Sequence, residues 1–230
     1  MMTVSETYRA IWRDSNHRKE HKLEIAGVTY GEDAIVSPPV VSRTLFEGGN
    51  AMVGNCVAGQ LTLNVIPQGT IPRMAEIRLY TRLAGEVEGV EQVSEWLPKG
   101  VFYIDTRKTD KVSGVMTIHG YDAMLKAEQI FLTETTEDDW PKPMDEVVEE
   151  ISQRIGVALD SRTAVSSAFR VGMPVGYTMR EVLGCIGVAM GGNWVITDEG
   201  RLALVRLSMF PADMTTSVLG VATLGQMKLA

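Results

Sequence analysis

Apolar and polar residues alternate across Gln60 to Ile66. Leu61, Leu63 and Val65 point one way and Thr62 and Asn64 the other, the period-two pattern of a half-buried strand. Further along, Val101, Tyr103 and Asp105 alternate with Phe102, Ile104 and Thr106, and Val115 and Thr117 alternate with Met116 and Ile118. Residues 101–107 and 112–121 are therefore predicted to form a hairpin across the polar turn Lys108, Thr109, Asp110. With Leu23 to Tyr30, Val40 to Leu45 and Ala75 to Arg82, these short segments punctuated by Gly, Pro and Asn predict a sandwich or small barrel. A sheet of this kind leaves edges that must be covered or paired. Tyr121 to Glu128 then turns to helix-forming composition.

The period changes in the second half. Val147, Ile151 and Ile155 recur at helical spacing behind Pro141, Pro143, Asp145 and Glu146, which predicts a helix from about Pro143 to Arg154. A second helix is announced by the capping box of Thr178 and Glu181. It is stopped by Gly191 and Gly192, with Val182, Cys185, Ile186 and Ala189 as its apolar face. Asn193 to Leu207 reads as a hairpin about the turn Asp198, Glu199, Gly200. The fold class expected is α+β, mainly β, divided into an N-terminal arm (1–22), a β-barrel (23–135), a module of two helices and a hairpin (136–210), and a further segment or truncated tail (211–230). Tyr8, Ile11 and Trp12 are spaced for a short helix in the arm, which either docks on a neighbour or, the preferred reading, packs on its own barrel or is a frayed terminus.

The pieces KLEIAG, SRTLFEGGNAMVGNCVAGQLTLNVIP, IPRMAEIRLY, LPKGVFYIDTRK and GVMTIHGYDAMLKAEQ, in that order and followed by two helices and a hairpin, resemble the tail hub or baseplate hub proteins of tailed bacteriophages and prophages. The resemblance spans roughly residues 5 to 210, is one of layout, and involves no catalytic signature. It implies a tail-tube-like barrel whose edges pair with sister subunits into a ring joining tail tube to tail tip. It also implies a protein made in the host cytoplasm and carried in the virion tail, with itself (trimer or ring) and other tail proteins as partners and with no enzymatic turnover. The contacts would come from the loop residues Gly48, Gly49, Asn50, Gly54 and Asn55 and from an edge strand bearing Leu61, Leu63 and Val65. Two other readings stay open: the N-terminal structural part of a tail-associated peptidoglycan hydrolase with its catalytic module beyond Ala230, and a carbohydrate- or receptor-binding tail module.

Charge and chemistry narrow this picture. A formal net charge of −7 over 230 residues is poor material for neutralising nucleic-acid phosphates. Glu86, Glu88, Glu91 and Glu95 occur in GEVEGVEQVSE without a basic residue. They read either as a solvated connection, which is preferred, or as a carboxylate surface that lines a lumen and repels passing DNA. Cys56 and Cys185 are far apart and predict two reduced, half-buried thiols. The residues show no amino-terminal apolar region preceded by positive charge and no run of membrane-spanning length, so neither a secretory signal nor a membrane span is expected. His17 and His21 match the H-x-x-E-H spacing of a zinc site, but the motif runs directly into a strand, so a charged linker is expected. His119 has neither a nucleophile motif nor an orienting partner beside it, Glu149 and Glu150 lack a sugar cleft, and GGNAMVGN lacks the lysine of a phosphate loop. The thirteen methionines are dispersed and read as core filler. No cofactor or metal is expected.

Overall fold

The computed structural model describes residues 4–49, 51–135 and 140–207. Helix α1 (Glu6–Arg13) starts at Ser5, whose hydroxyl accepts from the Tyr8 N–H. Eight strands follow: β1 (Arg18–Ile25), β2 (Val28–Tyr30), β3 (Ile35–Ser42), β4 (Gln60–Val65), β5 (Glu76–Val87), β6 (Val90–Val93), β7 (Leu97–Thr109) and β8 (Met116–Tyr121). They form one antiparallel sheet in the order β2-β1-β5-β7-β8-β4-β3, with β6 paired to the end of β5. The sheet curls into a half-barrel whose flanks, β1 with β2 on one side and β3 on the other, are not hydrogen-bonded to each other. Its concave face is sealed by alternate residues, among them Leu23, Ile25, Leu61, Leu63, Val65, Ile77, Phe102, Ile104 and Ile118, all essentially buried. Burying each such side chain contributes about 1.5–3 kcal/mol.

The second unit contains β9 (Lys142–Pro143), α2 (Met144–Ile155), β10 (Arg170–Val171), α3 (Met179–Met190), β11 (Gly192–Ile196) and β12 (Leu202–Arg206). Both helices end at a left-handed glycine, Gly156 and Gly191, and Thr178 with Glu181 forms the expected capping box. The turn between β11 and β12 is the expected three-residue connection, with Gly200 at φ 75° and the Thr197 N–H donating to the Arg201 carbonyl. Trp194 lies at the centre of this core, fully buried, its indole N–H donating to the Leu183 carbonyl at 2.7 Å.

Several expectations are corrected. The strand expected over Leu23 to Tyr30 is two strands joined at Ala26 and Gly27, and β1 begins earlier, in the charged run Arg18 to Lys22. The strand expected at Val40 to Leu45 is β3, which starts five residues earlier, at Ile35, and ends three residues earlier, at Ser42. The prolines Pro38 and Pro39 inside it are tolerated at a register shift on a terminal strand. The second core draws Cys56, Ala123, Met124, Ala127 and Phe131 from the segment assigned to the barrel, so the two units interleave. On α3 the buried face is Met179, Val182, Leu183, Ile186 and Gly187, while Cys185 and Ala189 face outward. Cys56 is buried and Cys185 exposed, instead of both being half-buried. Met52 and Met74 are exposed and are not core filler. The segment 211–230 lies outside the described residues.

Candidate assembly surface

The glycine-rich loop after β3 reaches the second unit and is anchored there. Gly54 N–H donates to the Gly192 carbonyl at 2.9 Å, and Asn55 carbonyl accepts from Trp194 N–H at 2.8 Å. Asn193, fully buried, accepts from Asn55 N–H at 2.8 Å and donates to the carbonyls of Leu45 and Met52. Gly54 adopts φ 87°, and a Cβ there would stand 2.5 Å from Val188 Cγ2 and 2.9 Å from the Gly184 carbonyl oxygen. Glycine is therefore required at this position for both its backbone and its lack of a side chain. The backbones of Gly54 and Asn55 are thus engaged within the chain, whereas Gly48 is exposed. Asn50 lies outside the described residues. Gly49 closes the short 3-10 turn Glu47–Gly49.

The strand bearing Leu61, Leu63 and Val65 is not an edge. As β4 it pairs with β3 on one side and β8 on the other, and all three side chains are in the core. The terminal strands are β2 and β3. Part of β1 is also open, because β2 covers only Leu23 to Ile25. The His21 N–H donates to the Glu32 carboxylate, which identifies the flank turned away from β5. Alternate residues of a strand share a flank, so the Lys19 amide and carbonyl face the same open side. Val36 and Val40 on β3 are exposed, Val40 by 61%.

The acidic stretch forms a hairpin, with its four glutamates exposed. Val87 and Val90 close a two-residue turn with Glu88 at φ 53° and Gly89 at φ 79°, the primed geometry that suits strand twist. Its carboxylates have different partners. Glu95 accepts from the amide and hydroxyl of Ser5, tying down the start of α1, and Glu91 pairs with Arg18 at 2.8 Å. Glu86 stands directly opposite Glu91 on the ladder, an unfavourable like-charge pair, and Glu88 tips the turn.

Between the flanks of the half-barrel lies an open cleft of about 440 Å³, lined by Tyr8, Trp12, Lys19, His21, Pro39, Val41, Arg43, Thr81, Lys99 and Asp198, with Leu79 and Leu83 as its floor. Arg43 forms an ion pair with Asp198, donates to the Lys99 carbonyl at 3.0 Å and lies over the Phe102 ring, and Lys99 stands 3.7 Å from Asp198. These contacts join the β11–β12 turn to the half-barrel. Helix α1 packs on its own sheet through the fully buried Ile11, as preferred from the sequence, and leaves Trp12 52% exposed, stacked on Tyr8.

Asp122 caps the 3-10 turn Ala123–Glu128, accepting from the Met124 N–H at 3.0 Å and the Gly59 N–H at 2.7 Å. Burial pushes its carboxyl up to about 6, against the pull of those two hydrogen bonds and of Arg43 and Arg180. Burial likewise pushes the Cys56 thiol up to about 12. His17 and His21 cannot share an ion through helical spacing. The chain between them is extended, and four residues of strand span about 13 Å. His119 sits on the outer face at 3.1 Å from the Thr62 hydroxyl. Glu149 and Glu150 lie along α2, where Glu150 pairs with Arg154. Among the described residues no three His, Cys, Asp or Glu side chains converge at metal-binding distance, and no helix is long and apolar enough to cross a membrane.

No family model and no curated protein matches the chain. Solved structures do. The 43 kDa tail protein of prophage MuSo2 from Shewanella oneidensis superimposes with a TM-score of 0.57 at 14% identity, over 86% of this chain and 58% of that one. A tail protein from Neisseria meningitidis superimposes with a TM-score of 0.51 at 9% identity, over 81% of this chain and 51% of that one. The fold is one that tail proteins use. The chain spans little more than half the length of these neighbours.

Proposed function

We propose that the chain is a structural component of a phage or prophage tail, a hub that joins the tail tube to the tail tip by assembling with sister copies into a ring. The observation that carries this reading is a curled sheet left open on both flanks in a fold shared with tail proteins. Unpaired strand edges on a monomer invite association and are normally blunted, and closure with neighbours satisfies them. The chain would work by assembly without turnover, its partners being further copies of itself and the adjoining tail proteins, after synthesis in the host cytoplasm. The β1 flank and β3 replace Leu61, Leu63 and Val65 as the proposed pairing edges. Immunogold labelling of tails released from a host carrying the gene tests this: label confined to one end of the tail tube is expected, and label along the whole tube or absent from tails overturns it.

A further inference from the structure

The cleft between β1 and β3 and the β5–β6 hairpin are complementary in charge and in apolar character. In the cleft, Lys19, Arg43 and Lys99 face the one lining carboxylate, Asp198, which leaves two net positive charges in a protein that is −7 as a whole. Glu32 accepts from the amide of His21, one of the lining residues. Tyr8, Trp12, Pro39 and Val41 supply the apolar part of the lining. The hairpin presents Glu86, Glu88 and Glu91 together with Val90, 60% exposed, and Val93, 47% exposed. Asp14 lies beside it, and among the described residues Arg18 is the one basic residue lining that surface. Glu86 stands opposite Glu91, whose charge Arg18 partly offsets, and a cationic surface laid against the hairpin would relieve the remaining repulsion.

We infer that the β5–β6 hairpin of one copy docks in the β1–β3 cleft of the next copy. The inference rests on the ring reading above and deepens it by naming the contact. Val90 covers the exposed face of Trp12, while Glu88 at the turn approaches Lys19 and Glu86, on the opposite face of the hairpin, approaches Lys99. Hairpin and cleft are different patches of one surface, so the contact is head-to-tail and propagates around a ring instead of ending at a dimer. Because its charged groups are exposed before docking, association weakens as salt rises.

The test uses the whole chain. Association is followed by sedimentation for Glu86→Lys with Glu88→Lys in the hairpin, for Lys19→Glu with Lys99→Glu in the cleft, and for the two variants mixed. Each variant alone is expected to associate more weakly by about tenfold or more, since like charges then face each other, and the mixture is expected to regain association. In a Cys185→Ser background, Val90→Cys copies are expected to cross-link to Pro39→Cys copies under mild oxidation, and less so in high salt. Oligomers that form equally well in all these variants, with no Val90 to Pro39 cross-link, overturn the hairpin contact and leave the ring reading standing. A chain that remains monomeric at every concentration overturns both.

Discussion

Alanine at Gly54 and alanine at Gly48 separate two costs that coincide at the unit junction. Both residues have positive φ, 87° and 66°, so each substitution strains the backbone by about 1 kcal/mol. Only at Gly54 does the added methyl meet matter, with Val188 Cγ2 at 2.5 Å and the Gly184 carbonyl at 2.9 Å, whereas Gly48 has open space. Forcing a methylene into a packed contact costs about 1–3 kcal/mol more. Gly54→Ala should therefore lose about 2–4 kcal/mol and Gly48→Ala about 1 kcal/mol. Urea unfolding followed by fluorescence reports on this site, because the Trp194 amide is hydrogen-bonded to Asn55. The midpoint should fall further for Gly54→Ala with the slope unchanged. Equal losses in the two variants would refute the view that this loop is packed onto α3.

Leu63→Asp puts an unpaired charge into a site 1% exposed and should cost more than about 4 kcal/mol, seen by circular dichroism as loss of folded protein; a folded but monomeric variant would restore the strand as a contact surface. The Asp122 carboxyl holds its proton more tightly when folded, at about 6 against 3.8. Its contribution to stability is thus fully present below pH 4 and is lost as pH rises through 6. The stability difference between wild type and Asp122→Asn should fall by about 2 kcal/mol between pH 4 and pH 7 in urea titrations. A difference that rises with pH would mean that the hydrogen bonds from Gly59 and Met124 outweigh burial. A thiol reagent should label Cys185 in the native chain and Cys56 only after unfolding, since Cys56 is buried with its thiol pushed up to about 12; labelling of both at equal rates contradicts that.

Elements whose sequence pattern reflects local backbone physics were legible. The capping box at Thr178, the glycine stop at Gly191 and the turn at Gly200 stand where the sequence places them. So does the alternation of β4, although alternation cannot distinguish an edge strand from an interior one, and pairing with both β3 and β8 decided that. Charged side chains hid the start of β1 and all of β6, because strands at a sheet margin need little apolar content. The buried face of α3 differs from its apolar stripe because Gly184 and Gly187 contribute by lacking a side chain, which lets the Gly54 loop approach. Periodicity counts apolar side chains and is blind to that. Asn193 and Asp122, the buried polar residues that hold loop and turn, carry no local signal beyond their place beside Gly192 and at the start of a helical turn. The cleft is assembled from α1, β1, β3, β5, β7 and the β11–β12 turn, and so is set by tertiary arrangement.

The central claim is that the open flanks of the half-barrel find partners on sister copies. Hydrogen exchange measured across a concentration series addresses it directly, at the Lys19 amide and along the outer flank of β3. The account predicts that these amides exchange freely in the dilute chain and become protected in step with the assembled fraction. Assembly that proceeds while they go on exchanging at the monomer rate would contradict it.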